Sequence, residues 1–290
     1  MIKVTPLDDE AFGAVVSGIV TDHPLTDDTI DVIKDALAKH TAIVINDLDE
    51  APDWLLRLGR GFGSLEPHIL DQFHHPASPE MSIITANMGN QESRTTKKPA
   101  GAFWHSDLSY TSTPSDAIFL YASHVPSDGG DTMVASTQLA YDGLSDEMKA
   151  RLESVVCIHR YGWNGGQAIT SLTEEQKKKT PDVEHKVIRT HPRTGKKILF
   201  VNPGFTMCVK DMDRAEGDTL LSELYEHQLN PAFRYRHKWT PRQLVILDNR
   251  ASMHCAIAGY SEPMRKLRMI VGCTDAEILA AEPFISSRLR

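Results

Sequence analysis

The chain has 290 residues, 41% hydrophobic and 24% charged, the balance of an ordinary water-soluble globular protein long enough to bury a core without disulfide or metal staples. That composition excludes a disordered, collagenous or coiled-coil chain. Thirty-one Lys and Arg against 39 Asp and Glu leave a net charge of −8, which disfavours attraction to a nucleic-acid backbone.

Met1 to Pro6 has no apolar signal core, and no apolar run approaches the ~20 residues needed to span a bilayer. Thr26-Asp27-Asp28 followed by Ile30, Val32, Ile33 and Leu37 predicts a capped amphipathic helix ending near His40. Ala42 to Asn46 reads as a buried strand, and Trp54 to Phe62 as a second helix ended by Gly61 and Gly63. Residues 66–101 are polar and rich in Pro, His, Asn and Gly. They read as a long functional loop, with only Met81 to Ile84 strand-like.

Further helices are predicted near 137–154 and 213–229. Short apolar or alternating runs between turn signals fall at 117–122, 132–135, 155–161, 185–190, 197–202, 233–239, 243–247 and 267–272. Arg193 to Lys196 is a hairpin turn between two of them. Many short strands with a few helices predict a β sandwich or barrel carrying helical insertions, as one domain over 1–290. Cys157, Cys208, Cys255 and Cys273 have no CxxC spacing and are expected as free thiols in a reducing compartment, so the expected location is the cytoplasm.

Thirteen histidines make a metal or acid–base site plausible, yet any single one is most often a surface or packed residue. His105 is followed two positions on by Asp107, and in an extended chain residues i and i+2 share a face. Together they supply two-thirds of a 2-His-1-carboxylate set, which leaves open positions on a ferrous ion. About one His-x-Asp is expected by chance in a chain this size, so a third ligand is needed. His254, just after the buried run Val245 to Leu247 and a polar turn, is the candidate. Eleven residues later Arg265 stands on a strand heading into an apolar core, where a buried guanidinium needs an anionic partner. A small dicarboxylate could be that partner, and so could an ordinary Asp.

With Phe62-Gly63-Ser64-Leu65, Trp104-His105-Ser106-Asp107, Pro126 to Thr132, Arg189-Thr190-His191-Pro192, Leu199 to Asn202 and Asp248-Asn249-Arg250, these residues follow one order nearly end to end. In that order the chain resembles the taurine dioxygenase/2,4-dichlorophenoxyacetate dioxygenase family of Fe(II)- and 2-oxoglutarate-dependent oxygenases. The resemblance implies a double-stranded β-helix of the jelly-roll, clavaminate synthase-like kind, mainly β with flanking helices. It implies that His105, Asp107 and His254 hold iron, and that Arg265 and Thr132 bind the distal carboxylate of 2-oxoglutarate. The implied reaction couples O₂-dependent decarboxylation of 2-oxoglutarate to succinate and CO₂ with hydroxylation of a small organic molecule. It also implies a homo-oligomer, dimer or tetramer, while the net charge and the lack of a spanning apolar run lead to the expectation of no nucleic-acid or membrane partner.

The chain departs from the family pattern on the substrate side. Where sulfonate-specific members place a histidine after the Phe-Gly-x-Leu segment, this chain has Glu66, then Pro67 and His68. A second family arginine is replaced by Met269, with Arg268 one residue earlier. A one-residue shift turns a side chain to the other face unless a bulge compensates. Glu66, His68, Tyr110 and Arg268 are the candidate substrate contacts. The same cofactor chemistry permits desaturation, cyclisation or C–heteroatom cleavage instead of hydroxylation. A Zn²⁺ hydrolase or a non-catalytic binding protein on the same barrel is the rival from outside redox chemistry.

Overall fold

The computed structural model describes residues 2–67, 73–86, 101–166, 180–260 and 262–274. Strands β1 (Lys3–Pro6) and β2 (Ala14–Ser17) form an antiparallel pair that leads to α1 (Asp27–His40). Thr26 caps α1 by accepting the Thr29 N–H at 3.2 Å, with Asp27 and Asp28 in the first turn and Lys39 and His40 in the last, each charge opposing the helix dipole. Then come β3 (Ala42–Ile45), α2 (Pro52–Phe62), β4 (His74–His75), β5 (Ser78–Ala86) and β6 (Ala117–His124). Gly61 lies inside α2 rather than ending it. A Cβ there would stand 2.6 Å from Ile30 Cδ1, so its absence lets α2 close on α1.

The second half comprises β7 (Thr132–Ser136), α3 (Thr137–Asp142), α4 (Asp146–Leu152), β8 (Val156–His159), β9 (Val183–Lys186), β10 (Ile188–Thr190), β11 (Lys197–Leu199) and β12 (Thr206–Val209). It closes with α5 (Arg214–Gln228), β13 (Arg234–His237), β14 (Gln243–Asp248), β15 (Ser252–Ala256) and β16 (Met264–Val271). The helix expected over 137–154 is two helices, interrupted at Gly143. The strand expected over 185–190 is likewise broken at Val187 into β9 and β10.

An eight-stranded sheet runs β1-β2-β3-β14-β6-β16-β5-β4, antiparallel except where β2 meets β3. Alternation along its strands sorts the side chains by face. On the outer face Ile43, Ile45, Phe119, Tyr121, Leu244, Leu267 and Met269 form one core with Ile33 and Leu37 of α1 and Leu55 and Leu58 of α2. On the inner face Val44, Ile118, Leu120, Val245 and Leu247 join Val134, Tyr235 and Trp239, which belong to or follow the small sheet β13-β7-β15. Two sheets thus face one another, as a jelly roll requires, and a cavity opens between them. A third cluster, including Leu152, Leu199, Val201, Leu220 and Leu224, packs the remaining helices onto the outlying strands.

Candidate metal centre and cavity

His105 and His254 meet as a closely paired antiparallel bridge. The His105 N–H donates to the His254 carbonyl at 3.0 Å, and the His254 N–H returns to the His105 carbonyl at 2.9 Å. Residues paired in this way project to one face, and the two imidazole centroids lie 4.3 Å apart. His105 Nδ1 sits 2.7 Å from the Phe103 carbonyl, which can only accept, so Nδ1 carries the hydrogen and the Nε2 lone pair is left open. Gly204 permits this approach, since a Cβ there would meet the Phe103 ring at 2.6 Å.

Past His105 the chain turns at Asp107, whose Oδ1 stands 3.7 Å from His105 Nε2. The three side chains offer ligand atoms all within 4.8 Å of one another, the one such cluster among the described residues. His254 is enclosed. Burial, reinforced by the neighbouring His105, holds its imidazole down to about 3, the neutral form that a metal needs. Its Nδ1 is buried with no hydrogen-bond partner among the described residues. Two imidazoles and a carboxylate around one point fit a first-row divalent metal in the 2-His-1-carboxylate arrangement.

A second layer fixes the ligands. Asn249, buried beneath Asp107, bonds that residue's backbone N–H and carbonyl. Asp248 next to it accepts from His191 Nε2 at 2.8 Å and from Arg250 Nε at 3.0 Å. Burial raises a carboxyl, but Arg250 and His191 outweigh it and hold Asp248 down to about 2.

The cavity beside the cluster measures about 430 Å³ and is lined by His105, Asp107, His254, Thr132, Tyr110, Glu66 and Arg268, each of which the sequence had marked. His68, marked with them, lies outside the described residues. Arg268 reaches within 3.7 Å of Asp107 Oδ2, so the one-residue shift does not turn it away. Plain alternation along β16 brings it inward with Met264, Lys266 and Ile270. The rest of the lining is largely aromatic or aliphatic, with Phe103, Phe205 and Tyr161 prominent.

Arg265 is a correction. It lies on the opposite face of β16 from the cavity, where its Nη1 donates to Glu50 Oε1 and Oε2 at 2.8 and 2.7 Å and to Ser123 Oγ at 2.8 Å. The residue that enters the cavity is its neighbour, Lys266. The signal lay in the pleat of the strand. Leu267, Met269 and Val271 form the apolar outer stripe, which leaves Lys266, Arg268 and Ile270 facing inward. Lys266 and Trp239 went unmarked in the sequence, and Asn249 was marked only within the Asp248-Asn249-Arg250 segment, with no role.

A family model described as "Taurine catabolism dioxygenase TauD, TfdA family" matches residues 3–274. An alpha-ketoglutarate-dependent sulfonate dioxygenase of Saccharomyces cerevisiae is 31% identical over 274 residues, covering 91% of this chain and 64% of that protein. The chain thus spans somewhat less than two thirds of the length of this relative. An alpha-ketoglutarate-dependent 2,4-dichlorophenoxyacetate dioxygenase of Cupriavidus pinatubonensis is 28% identical, covering 92% of this chain and 96% of that one. Among solved structures, AAD-2 in complex with Mn(II) and N-oxalylglycine superposes with a TM-score of 0.78 at 29% identity, covering 95% of this chain and 98% of that one. A taurine dioxygenase from Burkholderia xenovorans gives 0.78 at 25% identity, covering 94% and 89%.

Proposed function

The chain belongs to the TauD, TfdA family of taurine catabolism dioxygenases, and from that membership we propose that it is an Fe(II)- and 2-oxoglutarate-dependent dioxygenase that hydroxylates a small organic molecule. The observation that carries this reading is the convergence of His105, Asp107 and His254 at the wall of a mostly apolar cavity. The similar AAD-2 structure holds Mn(II) with N-oxalylglycine, a molecule with the same run of carboxylate, carbonyl and distal carboxylate as 2-oxoglutarate.

In this reading His105, Asp107 and His254 hold the metal, and the metal with 2-oxoglutarate and O₂ supplies an oxidant for a substrate C–H bond, releasing succinate and CO₂. The protein's part is to orient and enclose. The Phe103 carbonyl fixes the tautomer of His105, and Asn249 fixes Asp107. Phe103, Phe205, Tyr110 and Tyr161 wall off water and give an apolar substrate body surface to pack against. Burial pushes the Tyr110 phenol up, so it stays protonated and is available as a donor to the substrate. Arg268 gives the cavity a cation near Asp107, and Glu66 gives its mouth an exposed carboxylate. That pairing suits a substrate with an anionic end and a polar or amine-bearing tail.

The reading treats the chain as one domain, since a single sheet takes strands from Lys3 to Val271. It places the protein in the cytoplasm as a homo-oligomer. In its support, no helix among the described residues is long and apolar enough to cross a membrane, and none of the four cysteines is in a disulfide.

The test is an anaerobic titration of the apo-protein with Fe(II) and then 2-oxoglutarate, followed in the visible spectrum. A weak charge-transfer band that needs both components is the expected result. Zn²⁺ bound in place of iron with no such band, together with hydrolysis independent of O₂ and 2-oxoglutarate, would sink the reading. Product mass then separates hydroxylation, which adds one oxygen, from desaturation, which removes two hydrogens.

A further inference from the structure

Strand β16 carries Arg265, Lys266 and Arg268 within four residues, and each has a different electrostatic environment. Arg265 is neutralised outside the cavity by Glu50. Arg268 faces Asp107 at the metal end of the cavity. Lys266 is only 6% exposed and has no carboxylate in ion-pair contact among the described residues. Among the described residues its Nζ makes one hydrogen bond, to the Gly130 carbonyl at 3.2 Å, and it sits 3.9 Å from the centroid of the Trp239 ring. Asp131, the nearby acid, is already engaged by Arg236 at 2.6 Å.

An ammonium has three N–H donors, and taking it out of water is costly unless an anion replaces the lost hydration. Lys266 nonetheless lines the cavity with one donor used and a π face at its side. Thr132 lies against the same ring. Its Oγ1 accepts the Trp239 Nε1–H at 3.0 Å, so its own O–H remains to donate, and Thr132 also lines the cavity. A point cation and a hydroxyl donor therefore share one end of the chamber. Lys266 follows the alternation of β16 two residues from Arg268, a step of ~6.6 Å along the strand, about the span of a five-carbon diacid.

The geometry points to Lys266, with the Thr132 hydroxyl beside it, as the anchor for the distal carboxylate of 2-oxoglutarate, in the place expected for Arg265. This inference rests on the dioxygenase reading above. Burial pulls the Lys266 ammonium down to about 7, with Asp131 pushing back. An incoming carboxylate favours the charged form in the same space. A lysine anchor is a compact charge rather than a planar fork, so it holds one carboxylate oxygen and leaves the other to Thr132.

The experiment measures binding rather than turnover. Fe(II)-loaded protein is titrated anaerobically with 2-oxoglutarate and with 2-oxopentanoate, which has the same carbon chain but no distal carboxylate. Wild type and Arg265→Met should bind 2-oxoglutarate alike and discriminate strongly against 2-oxopentanoate. Lys266→Met should weaken 2-oxoglutarate roughly 10–100-fold, the range for a hydrogen bond to a charged group, and leave 2-oxopentanoate unchanged. Lys266→Arg should recover much of the loss. Thr132→Val, which keeps the shape of the side chain, should weaken 2-oxoglutarate alone by several-fold, so the inference is tested even where Lys266→Met folds poorly. Full discrimination in Lys266→Met, or its loss in Arg265→Met, overturns the assignment. A wild type that gives no band with either oxo acid overturns the dioxygenase reading, and the assignment with it.

Discussion

Asn249 grips Asp107 on both sides of its backbone. Its Oδ1 accepts the Asp107 N–H at 2.9 Å, and its Nδ2 donates to the Asp107 carbonyl at 2.8 Å. The same Nδ2 reaches Ser115 Oγ at 2.8 Å, and the Ser115 hydroxyl donates back to the Asp107 carbonyl at 3.0 Å. A side-chain amide supplies the pairing that no strand offers at this turn. The carboxylate of a proposed metal ligand is thereby aimed by a residue outside the cavity lining.

Asn249→Asp removes the donor while preserving size. The expected outcome is a ~10–100-fold loss of metal affinity, the usual effect of deleting a partner that orients a ligand. Calorimetric titration with Mn(II) measures it. Unchanged affinity in a normally folded variant excludes the positioning role.

His105→Ala and Asp107→Ala each delete one proposed ligand. Compared metal-free, both variants should keep an unfolding midpoint within a few degrees of wild type, and supplied with iron they should lose substrate-dependent succinate formation. Turnover at the wild-type rate in either one removes that residue from the metal site.

Asp248 lies between the buried His191 and the largely buried Arg250. The Thr194 N–H donates to His191 Nδ1 at 3.1 Å, so it is Nε2–H that donates to Asp248. With its carboxyl held down, Asp248 stabilises the fold above its ordinary value near 4 and loses that contribution as pH falls toward 2. Asp248→Asn leaves Arg250 largely buried beside Asp116 alone, at 3.5 Å. The expected cost is ~3–5 kcal/mol in urea unfolding at neutral pH, and a loss under 1 kcal/mol would mean the network is dispensable.

Two buried histidines away from the metal cluster make stability fall on acidification. Burial holds His185 and His237 at about 4, below the ordinary 6.5. Each neutral ring contributes stability above about 6.5 and loses it as pH falls to about 4, an upper figure of about 3 kcal/mol per group. Urea unfolding of the apo-protein at pH 7, 5.5 and 4.5 should show the decline. His185→Gln, which keeps a donor for the Thr111 carbonyl, should flatten it; parallel curves for variant and wild type would contradict the assignment.

Glu66 stands exposed at the cavity mouth, where a carboxylate repels an anionic substrate by no more than about 1 kcal/mol. Glu66→Gln should therefore lower KM for sulfonate or carboxylate substrates several-fold with kcat unchanged. A raised KM would instead make Glu66 a binding partner for a donor on the substrate.

Much of the site could be read from residue order, because the ligands sit on the segments that carry the most distinctive chemistry. His105, Asp107, His254 and Thr132 all reach the cavity. Arg265 does not, because counting residues from His254 ignores the phase of the strand, whose regular alternation turns Arg265 outward with Leu267 and Met269. Strands β1, β2 and β12 have four residues each, too few for a clear alternation. Strand β15, Ser-Met-His-Cys-Ala, mixes polarity because one face meets metal chemistry and the other packing. The break at Gly143 was hidden by helix-forming residues on both sides, and the expected 137–154 helix gave way to two capped by Ser136 and Ser145.

The mutual bridge of His105 and His254 joins two distant parts of the chain at a single rung. Because those same residues carry the imidazoles, the donor set does not exist until the rung is closed. An ion bound there works as a removable staple, recognising the folded chain and ignoring the unfolded one. At a free metal concentration a hundred times its dissociation constant, it adds about 2.7 kcal/mol against unfolding. If iron is the ion that fills it, as proposed, its supply sets how long the protein survives as well as how fast it turns over.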